Sequence, residues 1–106
     1  MITAEKIAEG LPLAVAASAK KHAEIGERDG CGFAWVNVYV DRTNSLQAKE
    51  LIKAGFRKDY QPKCLTFWDP GKAPTQSISV KEEGANAYAK YLTGLGLRAY
   101  SGSRLD

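Results

Sequence analysis

A stripe of mostly apolar positions, Ile7, Leu11, Val15, Ser18, His22 and Ile25, recurs at steps of three and four, which predicts helix between residues 3 and 28. Gly10 and Pro12 interrupt it. Proline suits a helix's first turn, where its missing N–H would have no partner anyway. The expectation is a short helix, a break and a longer helix over 12–28, ended by the turn pair Asp29-Gly30. From residue 32 the period falls to two. Phe33, Trp35, Asn37 and Tyr39 alternate with Ala34, Val36, Val38 and Val40, a strand with one aliphatic face for packing against helices.

Asp41-Arg42-Thr43-Asn44 then leads into a helix. Asn44 is the expected cap and Gln47 its capping-box partner; Ala48, Leu51 and Ile52 form the buried face, and Gly55 ends the helix. Residues 56–60 and 64–68 flank Gln61-Pro62-Lys63, a hairpin signal closed by Asp69-Pro70-Gly71. The segment 72–80 reads as a loop, with room for a short strand near Gln76 to Ile78. Ser79 with Glu82 makes a second capping box, opening a helix to Thr93 with Ala85, Tyr88, Ala89 and Leu92 inward. Leu97 to Ser101 is the last strand.

The order is α and then β-α-β-β-α-β. The predicted fold class is α+β, a ferredoxin-like βαββαβ two-layer sandwich with an N-terminal helical extension. One domain is expected over 1–106: extension 1–30, core 31–101 and polar tail 102–106.

In this fold one sheet face packs on the helices and the other is open unless something covers it. Alternation assigns Phe33, Trp35, Asn37, Tyr39, Cys64, Thr66, Trp68, Arg98 and Tyr100 to the second face, which gathers both tryptophans. Three explanations compete. The N-terminal helix lies across the face; or the face is a protein interface, for which Trp, Tyr and Arg are favoured hot-spot residues; or single-stranded nucleic acid stacks on Trp35, Tyr39 or Trp68 with Arg98 on phosphates. The run Trp35 to Val40 is similar to the first aromatic signature of RNA-recognition motifs, but 64–68 lacks the second, basic-Gly-aromatic-Gly-aromatic, so that family is not assigned.

Composition narrows the classes. At 44% hydrophobic and 25% charged residues, the chain matches an ordinary globular domain rather than a disordered segment or a disulfide scaffold. A net charge of +3 is mild, and the basic residues are scattered. Cys31 and Cys64 stand apart from the one histidine, His22, so neither a zinc site nor any other metal or cofactor is indicated. Two free thiols, no span of roughly 20 apolar residues and no signal-peptide pattern make a cytoplasmic protein the expectation.

Catalytic signals are weak. Glu82 and Glu83 are adjacent and do not face each other on a helix. Neither a P-loop nor a dinucleotide fingerprint occurs. Arg42 and Asn44, beside a helix N-terminus, are the anion-binding candidates. The spacing from Asn44 through Ala48 and Leu51 to Gly55-Phe56 resembles the strand-helix-strand segment of coenzyme A-dependent N-acetyltransferases. That resemblance implies a general-acid tyrosine, but Ile52 holds its position, and the pyrophosphate-binding loop is missing. Glyoxalase-type modules use a similar phrase, without their His and Glu ligands here. The expectation is a small non-enzymatic binding module acting through protein–protein contacts, by homo-oligomerisation or by masking a partner, of the size phages and mobile elements encode. The alternatives are single-stranded nucleic-acid binding and a degenerate acetyltransferase-like or other cryptic enzyme; no membrane partner is expected.

Overall fold

The computed structural model describes residues 1–26 and 29–106. Among them it forms helices α1 (Ala4–Ala8), α2 (Leu11–Ile25), α3 (Leu46–Lys53) and α4 (Ile78–Gly94), and strands β1 (Gly32–Tyr39), β2 (Arg57–Lys58), β3 (Cys64–Trp68) and β4 (Arg98–Leu105). The fold is α+β. The strands form one antiparallel sheet in the order β2-β3-β1-β4. None of the helices described is long and apolar enough to cross a membrane.

The alternation in β1 is realised in full. Ala34, Val36, Val38 and Val40 are buried, while Phe33, Trp35, Asn37 and Tyr39 are half-buried on the other side. The aliphatic face meets α4, whose Ala85, Tyr88, Ala89 and Leu92 point inward as expected, and the core also takes in Leu51, Phe56 and Leu65. Tyr88 lies at its centre. Its ring packs against Phe67 (5.6 Å between centroids) and Phe56 (6.1 Å), and its hydroxyl donates to the Ile7 carbonyl at 3.0 Å. Burial pushes the phenol's pKa upward, so it remains a neutral donor.

The N-terminal helices do not cover the aromatic face; α2 packs along α4 instead. The buried face of α2 is Ala14 and Ser18, and Val15, expected on the buried stripe, is 40% exposed. Small residues explain the choice. The Ser18 hydroxyl donates to the Val80 carbonyl at 2.8 Å, and a Cβ on Gly84 would come within 2.8 Å of the Gly71 backbone. Close backbone approach here replaces a wide apolar stripe. Upstream, Gln47 exchanges two hydrogen bonds with the Ile2 backbone, and the Ala4 N–H donates to Glu50, which tie α1 to α3.

Several expected boundaries move. The end of α2 at Arg28 falls outside the described residues; the helix closes at Ile25, before Gly26 at φ 63°. Ser45, not Asn44, caps α3, accepting from the Ala48 N–H at 3.2 Å, because Gln47 is engaged by Ile2 and leaves no capping box. Ile52, expected inward, is exposed. Strand β2 shrinks to Arg57 and Lys58. Residues 72–77 form no strand beyond a single bridge between Cys31 and Ser77. The expected polar tail is strand: Gly102 to Leu105 continue β4 in register with β1.

The Ser79–Glu82 capping box does not form, since α4 begins two residues earlier, with Ser77 at the cap position, and Glu82 accepts from Ser103 instead. A carboxylate distant in sequence takes over. Asp29 accepts from the Ser77 hydroxyl and, at 2.8 Å, from the Ser79 N–H. These bonds hold its carboxyl below the usual aspartate range. A depressed folded-state pKa stabilises the protein above the unfolded value of about 3.9, and that contribution is lost as pH falls through the folded value. Glu50 is lowered as well, by the Ala4 N–H and Lys53. The Asp29→Asn variant therefore isolates one group: its melting temperature lies below wild type at neutral pH, and the gap narrows below about pH 4. Parallel thermal melts across pH check this; a constant gap contradicts it.

Candidate functional site: the open aromatic face

Register decides which side chains share the open face, because directly opposed residues of antiparallel strands point the same way. Trp35 stands opposite Trp68, Asn37 opposite Thr66, and Tyr39 opposite Cys64. On the other side Phe33 faces Arg104, Trp35 faces Gly102, Asn37 faces Tyr100, and Tyr39 faces Arg98. The sheet thus brings together every residue that alternation assigned to this face. They differ in access: Trp68 is 53% and Tyr100 59% exposed, Arg98 is exposed, and Thr66 and Cys64 are buried.

The aromatic rings form a consolidated patch. Trp35 and Trp68 lie 4.9 Å apart at 46°, Phe33 meets Trp68 edge-on at 6.3 Å, and Tyr39 meets Tyr100 at 5.9 Å. Glycine makes the central contact possible: a Cβ at Gly102 would lie 2.6 Å from the Trp35 indole nitrogen. The indole therefore lies flat over the neighbouring strand rather than standing away from the sheet. Asn37 accepts from the Thr66 hydroxyl at 2.7 Å, which fixes the polar pair beside the tryptophans. Burial raises the pKa values of Tyr39 and Cys64, and both stay neutral.

Some members of the face were not legible in the sequence. Arg104 lies over Phe33, 5.6 Å from the ring centroid, and Arg57 enters opposite Thr66. Lys81, nearly buried, stands 5.3 Å from the same Phe33 ring while donating to the Gly32 carbonyl at 2.9 Å. The β2–β3 turn adds Asp59, Tyr60 and Gln61, which with Trp35, Trp68 and Arg104 border a shallow depression of about 350 Å³. Tyr39 donates to Gln61 at 3.2 Å, anchoring that turn to the sheet. Extending the alternation of Arg98 and Tyr100 by two more steps would have found Arg104.

Arg42 and Asn44 are exposed in the turn that leads into α3. The α3 end already has a side-chain partner in Ser45. A second depression, of about 400 Å³, lies between Asp29, Cys31 and residues 73–77, where Asp29 and Ser77 are engaged in holding the start of α4.

The open face offers flat aromatic area with guanidinium groups at its edge. The Arg98 guanidinium also meets Asp41 at 3.4 Å, an exposed pair of small energetic weight. Comparison with protein-family models, with curated proteins and with solved structures finds no match for this chain.

Proposed function

We propose that the chain is a small non-enzymatic binding module of ferredoxin-like fold that acts through protein–protein contacts on the open sheet face. The strand order, with β1 and β3 central and every neighbouring pair antiparallel, supports the fold reading. One observation carries the functional reading: Trp35 and Trp68 form a joined aromatic patch on the side of the sheet away from the core, with α2 engaged elsewhere. Exposed aromatic patches rimmed by polar groups are the usual mark of a partner surface. The partner that fits has an apolar protrusion with carboxylates around it, opposite Arg57, Arg98 and Arg104. Two carboxylates with lowered pKa values serve structure: Asp29 caps α4, and Glu50 holds the Ala4 N–H. The two free cysteines belong in a reducing cytoplasm in this reading.

The three arginines on one face favour a second reading, single-stranded nucleic acid stacked on the tryptophans. The first is preferred because Trp35 and Trp68 pack on each other instead of standing apart as separate platforms for bases. The test compares proteins retained by the immobilised wild-type chain and by Trp68→Ala, alongside titration with a polythymidine oligonucleotide. Specific retention of a protein by wild type and its loss in the variant supports protein docking. Oligonucleotide binding that weakens steeply with salt, with no protein lost in the variant, replaces it with the second reading.

A further inference from the structure

Strand β4 is an outer strand of the sheet, and its free edge is eight residues long, whereas the opposite edge strand, β2, has two. In an antiparallel pair, alternate residues bond to the neighbouring strand, and those between turn their backbone groups away. The hydrogen bonds around β4 show which are which. The Asp106 N–H donates to the Cys31 carbonyl at 3.0 Å, extending the β1–β4 register. Gly32, opposite Leu105, gives its N–H to Gln76 instead. Ala99 donates to Leu97, and its carbonyl accepts from Thr93. Even-numbered residues therefore bond to β1, and Ser101, Ser103 and Leu105 present N–H and C=O at the open edge. The strand contains neither proline nor a positive-φ residue, devices that commonly blunt an edge.

We infer that a second copy of this chain pairs antiparallel with β4 across a two-fold axis through Gly102. The axis must pass through a residue, because opposed side chains have to share a face. The side chains then select the residue. An axis at Ser101 sets Arg98 against Arg104, like against like. An axis at Ser103 sets Arg104 against Gly102, so that this guanidinium meets neither a carboxylate nor a ring. The axis at Gly102 sets Arg98 against Asp106 and Tyr100 against Arg104, opposite charges and a cation over an aromatic ring. It also places Ser101 opposite Ser103, so that their outward backbone groups exchange hydrogen bonds. Leu105, 68% exposed, gains Ala99 of the other copy as its neighbour.

On the helix side the same axis is complementary. Ser103 donates to Glu82 and Ser101 to the Asn86 carbonyl oxygen, so α4 reaches the edge. Glu82 of one copy then meets the carboxamide N–H of Asn86 of the other. The axis is perpendicular to the sheet, so both aromatic faces lie on one side of a continuous surface, and the docking area is doubled. The pairing stands independently of what docks there.

Sedimentation of the full chain over micromolar to sub-millimolar concentrations tests the inference. A monomer–dimer equilibrium is expected. Ser103→Pro removes an outward N–H without touching a bond to β1 and is expected to give a monomer. Asp106→Arg places like charges opposite Arg98 and is expected to weaken the dimer roughly tenfold or more, with Arg98→Asp combined with Asp106→Arg restoring it. If Ser103→Pro fails to fold, the charge exchange alone decides. A chain that stays monomeric throughout overturns the inference. So does a dimer indifferent to Asp106→Arg, or one that Trp68→Ala dissociates. Failure here leaves the partner-docking reading intact, since that is read by retention of a different protein and not by mass.

Discussion

Tyr88→Ala is expected to destabilise the protein by about 3–5 kcal/mol, the range for truncating a large buried aromatic. Tyr88 is fully buried and touches Phe56 and Phe67. Its hydroxyl reaches Ile7 in α1, so the side chain links the sheet, α4 and the N-terminal extension. Removing the ring opens a cavity that rigid neighbours on several sides cannot close, and it frees the Ile7 carbonyl of one donor. For a domain of this size the loss corresponds to a melting temperature lower by roughly 15–30 °C. Tyr88→Phe separates the two contributions. It keeps the ring and removes only the hydroxyl, for an expected loss of about 1 kcal/mol. Thermal and urea denaturation of both variants check the pair. Similar, small losses would mean that the ring is not the centre of the core.

The second large effect concerns binding rather than stability. Trp68→Ala is expected to weaken association with the docked protein by about 2 kcal/mol or more, a factor of roughly thirty in affinity. Trp68 is the more exposed member of the tryptophan pair and stands between Trp35 and Phe33. Its removal deletes the most accessible part of the patch and lets Trp35 move. The cost in folding is small by comparison, about 1 kcal/mol from the lost aromatic contacts, because half of the side chain already faces solvent. Binding and melting measured on the same preparation separate the effects. Unchanged affinity with an intact fold contradicts the assignment of this face.

Much of the architecture was legible locally. The two-residue period of Phe33 to Val40 fixed both faces of β1, and the inward residues of α4 followed from their spacing. What was not legible depended on contacts distant in sequence. Asp29 caps a helix that begins at Ile78, and no short-range pattern connects the two. The choice of Ser45 over Asn44 turns on Gln47 reaching Ile2. Helix α2 docks through Ala14 and Ser18 against Gly71 and Gly84, small residues whose close fit the apolar stripe does not signal, so that the stripe wrongly placed Val15 inward. The extension of β4 was hidden because glycine and serine have little intrinsic strand preference. Pairing with β1 imposes the strand there, and it brings Arg104 to the aromatic face.

Quenching of tryptophan fluorescence by a neutral quencher such as acrylamide tests the central claim, an uncovered aromatic face, most directly. Trp35 and Trp68 are the only tryptophans, and both lie on it. The account predicts efficient quenching with red-shifted emission, in the monomer and equally in a dimer paired through β4. It also predicts that Trp68→Ala removes most of the accessible signal. Emission protected from the quencher in a sample whose mass is that of a single chain would contradict it, because the face would then be covered by the protein's own helices.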